Sequence, residues 1–419
     1  GESAIVEADS FTYSTTQTGF AVTDFSSPLT AGSPASFTVT ALLDGSTNTA
    51  YTGVVHFSST DPHAQLPADY TFTEGDHGTH TFTATLDTAG EQTVTATDTT
   101  NGNLTGSAPI TVNPGSASHL GLSFASSALI GYSLTAIVTV QDTYGNAVTG
   151  YTGTVRWSSS DGLASLPGSY TFTAADGGQH AFNLTFGSAG SQTVTVRDAA
   201  QESLTSTVSI AVANPLQLFV SQAYEDLLGR AADSAGLAYW IGLLAGGAPR
   251  STIATELTHS AEYYGTIITP AYQQFLGRAP DAAGLAYWTG RMQQGLTDEQ
   301  LQAGFIASSE FYANAGNSNK GWVNALYLDL LDRAADPSGE SYWLGQLAAG
   351  VGRESIAYGF TAGSEEEKIS IEGDYQHYLH RTPSTAEVDY WASQFALGLT
   401  NEDVVAGFVG SDEYFQRAI

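Results

Sequence analysis

The chain has 419 residues and carries 12 Lys and Arg against 42 Asp and Glu, a net charge of −30. A surface that acidic repels phosphate backbones and anionic headgroups, which excludes nucleic acid and membrane surfaces as partners and leaves cations, basic proteins and neutral polymers such as glycans. There is no cysteine, which removes disulfides, thiolate catalysis and Cys-ligated metal centres, and no apolar run approaches the ~18 residues that insertion of a membrane helix requires.

Residues 1–17 come first, and "AIVEADSFTY" (4–13) reads as a strand without a counterpart later in the chain. Two expectations stand side by side. It is an extra edge strand on the module that follows, or a strand donated to a neighbouring copy, which would build a fibre by β-augmentation.

From residue 18 to residue 214 the sequence is rich in Thr, Ser and Gly and alternates with period two, as in "TFTATL" (81–86) and "AFNLTF" (181–186). That places Phe82, Leu86, Phe182, Leu184 and Phe186 inward, and recurring turn signals make the region an antiparallel sandwich. It is also a repeat with a spacing of 100 residues: Tyr51, Asp61, Leu66, Pro67, Tyr70, Asp76, His80 and Asp98 return as Tyr151, Asp161, Leu166, Pro167, Tyr170, Asp176, His180 and Asp198. One module spans 18–114 and the next 115–214, each the size of one immunoglobulin-like domain. "LPADYTFT" and "LPGSYTFT" are the most specific shared pieces. The two copies resemble the tandem bacterial Ig-like modules of secreted surface proteins, and the resemblance implies a stalk or adhesive spacer.

Composition changes at "ANPLQLFVSQAYEDLLGR" (213–230). Phe219, Val220, Ala223, Tyr224, Leu227 and Leu228 recur at three- and four-residue intervals, which predicts an amphipathic helix. The remainder, 215–419, is expected to be all-α and repeats four times, at about 215–265, 266–315, 320–368 and 369–419. Arg230, Arg278, Arg333 and Arg381 are spaced 48, 55 and 48 residues apart. Trp240, Trp288, Trp343 and Trp391 follow each Arg by 10, and Glu262, Glu310, Glu365 and Glu413 follow each Trp by 22. The extra residues between copies two and three fall near the polar loop "NAGNSNK" (314–320), which groups the repeats as two pairs.

"GRAPDAAGLAYW" (277–288) and its copies have the look of a ligand motif, and the fourth copy argues against one. Where the others have Asp233, Asp281 and Asp336 it has Ser384, and in place of Gly236, Gly284 and Gly339 it has Glu387. Ser for Asp would damage a metal site but is close to neutral at a helix N-cap, and Ser384-x-x-Glu387 is a capping box. Asp233, Asp281, Asp336 and Ser384 are therefore read as caps of the Trp-bearing helices, each contributing ~1 kcal/mol. Trp is taken as the core centre of each repeat, and the Arg as closing the preceding helix and pairing with the Ser-x-Glu carboxylate. The motif is expected to be a structural staple. "LLGRAADSAGLAYW" with "SAEYY" looks like the bacterial domain of unknown function 4214, itself similar to phycobilisome linker repeats. That resemblance implies secreted, multi-domain proteins and carries over no activity or catalytic residue.

Among the remaining acids, Asp61, Asp98, Asp161 and Asp198 are candidates for calcium at the joint between the modules, and no other cofactor is expected. Asp374, His377 and His380 step by three along "DYQHYLHR"; both histidines align with variable polar positions, which reads as a solvated face. Asn103-Leu-Thr and Asn183-Leu-Thr fit the N-glycosylation sequon. No G-x-S-x-G, H-E-x-x-H, P-loop or dinucleotide fingerprint is present, so no enzyme is expected. The expectation is an exported bacterial structural or adhesive protein at the cell surface, with its export signal already removed, self-associating into a fibre or surface layer. The alternative is a carbohydrate-binding accessory region, with or without calcium, of a larger secreted protein.

Overall fold

The computed structural model describes residues 18–419, the side chains of 364–366 excepted. The extension 1–17 lies outside the described residues, and with it the choice between an edge strand and a donated one. The chain divides into two compact units at Ala213–Asn214, all-β before and all-α after.

The first Ig-like module contains β1 (Gly19–Thr23), β2 (Leu29–Thr30), β3 (Pro34–Leu43), β4 (Ser46–Thr47), β5 (Val54–Ser59), β6 (Tyr70–Thr71), β7 (Thr79–Thr85), β8 (Gly90–Asp98) and β9 (Thr105–Asn113). The second contains β10 (His119–Ser123), β11 (Ser127–Leu129), β12 (Ser133–Gln141), β13 (Thr154–Ser159), β14 (Tyr170–Thr171), β15 (Gln179–Thr185), β16 (Gly190–Asp198) and β17 (Thr205–Ala213). In each, one sheet centres on β3 or β12, and the other runs β2-β9-β8-β5-β6 or β11-β17-β16-β13-β14. Alternation builds the sandwich: on β3, Ala35, Phe37, Val39 and Ala41 are buried while Ser36 faces water. Phe82 and Leu86, and Phe182, Leu184 and Phe186, are buried in the same way.

The two modules are latched by one loop. Asn146 donates to the Asp87 carbonyl at 2.7 Å and accepts from the Ala89 N–H at 2.9 Å, both on the first module. Asp142, fully buried, holds that loop by accepting from the N–H groups of Tyr144 and Asn146 at 2.9 Å, and it also accepts from Gly115 in the linker at 2.8 Å.

The helical unit comprises α1 (Pro215–Leu228), α2 (Ser234–Ala245), α3 (Arg250–Thr258), α4 (Ala261–Leu276), α5 (Ala282–Met292), α6 (Asp298–Ala307), α7 (Ser309–Asn314), α8 (Asn319–Leu331), α9 (Pro337–Ala348), α10 (Arg353–Thr361), α11 (Ser364–Leu379), α12 (Thr385–Ala396), α13 (Asn401–Val409) and α14 (Asp412–Ala418). Each repeat is a long helix, a Trp-bearing helix and a third helix, closed by a Ser-x-Glu turn or its equivalent. That turn opens α4 and α11 directly, fusing repeat one to two and three to four; between two and three it forms the separate α7, broken from α8 by the Asn/Gly loop. Across repeats the third helices pair as α6 with α10 and α3 with α13, so repeat two packs on three and repeat four returns to one. Asp226 of α1 fixes this closure by accepting from Tyr414 Oη at 2.7 Å and Arg417 Nη2 at 2.9 Å of α14. Phe219, Ile253, Trp322 and Tyr414 are fully buried at the shared core.

Candidate functional site

All four motif copies set an Arg over a Tyr, and copies one, two and four pair that Arg with a Glu of their own repeat. The Arg follows a residue in the left-handed region that ends the long helix: Gly229 and Gly277, then Asp332 and His380 at φ 47° and 53°. From there Arg278 reaches Glu310 of its own repeat in bidentate fashion at 2.6 and 2.9 Å, Arg381 reaches Glu413 at 2.5 and 3.1 Å, and Arg230 pairs with Glu262 likewise. Hydrogen bonding from Arg230 and Arg278 holds Glu262 and Glu310 below the usual carboxylate range. These pairs are about two-fifths exposed, so solvent screening keeps their contribution to stability small. The side chain of Glu365, at the corresponding position of repeat three, lies outside the described residues.

Beneath each guanidinium lies a Tyr from the preceding helix. The Arg–ring distances are 5.3 Å for Tyr224, 5.1 Å for Tyr272, 5.2 Å for Tyr327 and 4.8 Å for Tyr375. The Tyr hydroxyl presses on the start of the Trp-bearing helix and explains the motif Gly. A Cβ at Gly284 would stand 2.2 Å from Tyr272 Oη, and at Gly339 2.4 Å from Tyr327 Oη. Repeat four accommodates Glu387 by turning its carboxylate to Arg381 at 2.6 and 3.1 Å. That contact, with the Ser384 N–H and hydroxyl, brings Glu387 down to about 2.

The acids before the Trp-bearing helices cap them. Asp233 accepts from the N–H groups of Ala235 and Gly236, Asp281 from Gly284, and Asp336 from Ser338 and Gly339. Ser384 forms a reciprocal capping box with Glu387.

The tryptophans depart from expectation. Of the four motif tryptophans only Trp240 is buried; Trp288, Trp343 and Trp391 are half-buried, because the short helices that bear them lie on the rim and present one edge to the third helix. There they meet Phe305, Phe360 and Phe408 at centroid distances of 5.0, 5.0 and 5.2 Å. The neighbouring Tyr239, Tyr287, Tyr342 and Tyr390 are all exposed. The largest fully buried side chain is instead Trp322, whose indole donates to the Ile306 carbonyl at 2.8 Å.

Residues 214–267, 265–315, 303–370 and 371–418 each match the family described as Domain of unknown function (DUF4214). Together the matches run from 214 to 418, the helical half of the chain. Each DUF4214 match spans one Arg–Trp–Glu cluster. No curated protein matches the chain. Among solved structures, similarity covers a share of the chain about the size of its β half. The Escherichia coli adhesin FdeC is 22% identical over 47% of this chain and 65% of its own, with a TM-score of 0.27. The D00-D0 domain of intimin is 13% identical over 46% and 99%, with a TM-score of 0.28. Domains 5–6 of the S-layer protein SbsC are 18% identical over 46% and 96%, with a TM-score of 0.19. The chain thus spans 65% of the length of the FdeC chain it matches.

The calcium candidates are not drawn together. Asp98 ends β8, whereas Asp61 binds the backbone of Asp87 and Thr88 just before that strand begins, so the two stand at opposite ends of the first module. Asp161 and Asp198 are separated in the same way by β16. Each carboxylate is occupied by turn N–H groups, and Asp98 and Asp198 also accept from Tyr51 and Tyr151. Among the described residues no group of three or more His, Asp or Glu is placed to hold a metal ion. Asn103 and Asn183 are both exposed.

The acids that the sequence concealed are in the DUF4214 unit. Asp374 aligns with Ala223, Ala271 and Leu326, which are core positions, and burial pushes its carboxyl up to about 7; the solvated-face reading fails there, although His377 and His380 are exposed. Asp298 opens α6 and Glu402 opens α13; Asp298 Oδ1 and Glu402 Oε1 are sealed from solvent without a hydrogen-bond partner among the described residues. Burial, and then the charge of Glu402, drive Asp298 far above the usual range. The missed tyrosines were legible: a Tyr precedes each motif Arg by six positions in all four repeats.

Proposed function

We propose that this is a non-enzymatic structural or adhesive protein of the bacterial cell exterior, whose Ig-like modules act as spacer and whose DUF4214 unit acts in binding or assembly, and that copies associate into a fibre or surface layer. The observation that carries the scaffold reading is the internal consumption of the repeated motif. Arg230, Arg278 and Arg381 pair with glutamates of their own repeat, all four motif arginines lie over tyrosines, and the motif Asp and Ser residues cap helices. The latch through Asn146 supports the spacer role, since it couples the two modules through their own loops. Self-association is supported by the surplus strand-like segment 4–13, suited to adding a strand to a neighbour's sheet. Electron microscopy and analytical ultracentrifugation of the whole chain should show polymers, and removal of residues 1–17 should leave soluble monomers with both modules folded. Polymers that persist after the deletion overturn the donated-strand version.

A further inference from the structure

We propose that the cleft enclosed by α5, α6 and α10, between repeats two and three, binds a sugar ring of a neutral glycan. The inference rests on the adhesive reading and supplies its ligand class. The cleft has a volume of ≈ 520 Å³, within the range of small-ligand sites. Its walls carry Tyr287, Trp288 and Tyr358, and Tyr287 and Tyr358 are 57% and 43% exposed. The edge of the Trp288 indole reaches α6 so closely that a Cβ at Gly304 would stand 2.7 Å from it. Such rings offer apolar faces to the C–H side of a hexose. Around them stand Arg291, Gln300 and Glu354, a donor, an amide that both donates and accepts, and an acceptor, as the alternating hydroxyls of a sugar require. Among the described residues neither Arg291 nor Glu354 forms an ion pair, so both retain hydrogen-bonding capacity for a ligand. The net charge of −30 disfavours anionic polysaccharides.

The fold itself does not demand these side chains. The matching place between repeats four and one, where α3 packs on α13, keeps Tyr390, Trp391 and Gly407 but has Gln394 for Arg291, Asp403 for Gln300, Ser251 for Glu354 and Thr255 for Tyr358. The helix pair forms with either set. The aromatic and charged lining at one of the two places is therefore free to serve a ligand.

Calorimetric titration of the whole chain with neutral gluco-, manno- and galacto-oligosaccharides tests this. Saturable binding to at least one is expected. Tyr358→Ala should weaken it by about tenfold or more, Glu354→Gln should weaken it as well, and Tyr390→Ala should leave it unchanged. No saturable binding, binding unaffected by Tyr358→Ala, or equal loss in Tyr390→Ala overturns the assignment; so does a cleft occupied only by a second copy, seen as Tyr358-dependent dimerisation without sugar. Polymer formation is read separately and is expected to survive both cleft substitutions, so failure of the ligand assignment and failure of the fibre reading are distinguishable.

Discussion

The two halves of the chain keep their buried acids in opposite states. In the β half, burial pushes Asp98 up, but the hydroxyls of Tyr51 and Thr100 and the N–H groups of Asn101 and Thr100 bring it down to about 2. Asp61, Asp142, Asp161 and Asp198 are lowered against the same burial by their own turn donors. In the helical half, Asp374 and Asp298 lack such donors and are held up by burial, with Glu402 adding to Asp298. The difference follows from architecture. A sandwich loop wraps N–H groups around a carboxylate, whereas Asp374 lies inside α11, where the N–H groups are already spent on the helix.

The largest test of the independence of the halves is Trp322→Ala. Truncating a fully buried indole should cost ~3–5 kcal/mol, moving the melting transition of the helical half in calorimetry and leaving that of the β half in place. A common shift of both would show that they unfold as one.

The pH dependence sharpens the contrast. Asp374 has a folded pKa raised to about 7, so the stability associated with its protonated form is complete below the ordinary carboxylate range near pH 4 and is lost as the pH rises through 7. The helical transition should therefore sit higher at pH 5 than at pH 8, and Asp374→Asn should recover on the order of 2 kcal/mol at pH 8. Asp98 has the opposite sign: its contribution is present above pH 4 and is lost as the pH falls toward 2, so the β transition should drop in acid. Parallel pH profiles for the two transitions would refute the assignment.

The smallest effect separates two glycines of α5. Gly284→Ala should destabilise the helical half by ~1–3 kcal/mol because its Cβ meets Tyr272 Oη at 2.2 Å. Gly290→Ala has nothing within 4 Å and should stabilise by about 0.5–1 kcal/mol. Thermal melts of the two variants compare them directly.

Much of this organisation is written locally. The 100-residue offset, the alternation of Phe82 and Phe182, the caps at Asp233, Asp281, Asp336 and Ser384, and the Arg-to-Glu spacing all depend on neighbours within one module or one repeat, so periodicity and cap chemistry suffice to read them. The sequence also held the Tyr six residues before each motif Arg, although only the structure explains it as a platform that requires Gly at the helix start. What lies between repeats was not legible. Trp288 and Asp374 have the same local grammar as a core indole and a surface acid, yet one is left on a rim and the other is enclosed, because burial is set by which third helices pair. That pairing, two with three and four with one, joins residues more than fifty positions apart, and no local propensity encodes it. Composition and spacing therefore determined the modules, repeats and staples; the closure of the helical unit decided which aromatics line a cleft and which acids lose their water, because both depend on surfaces that exist only after distant helices meet.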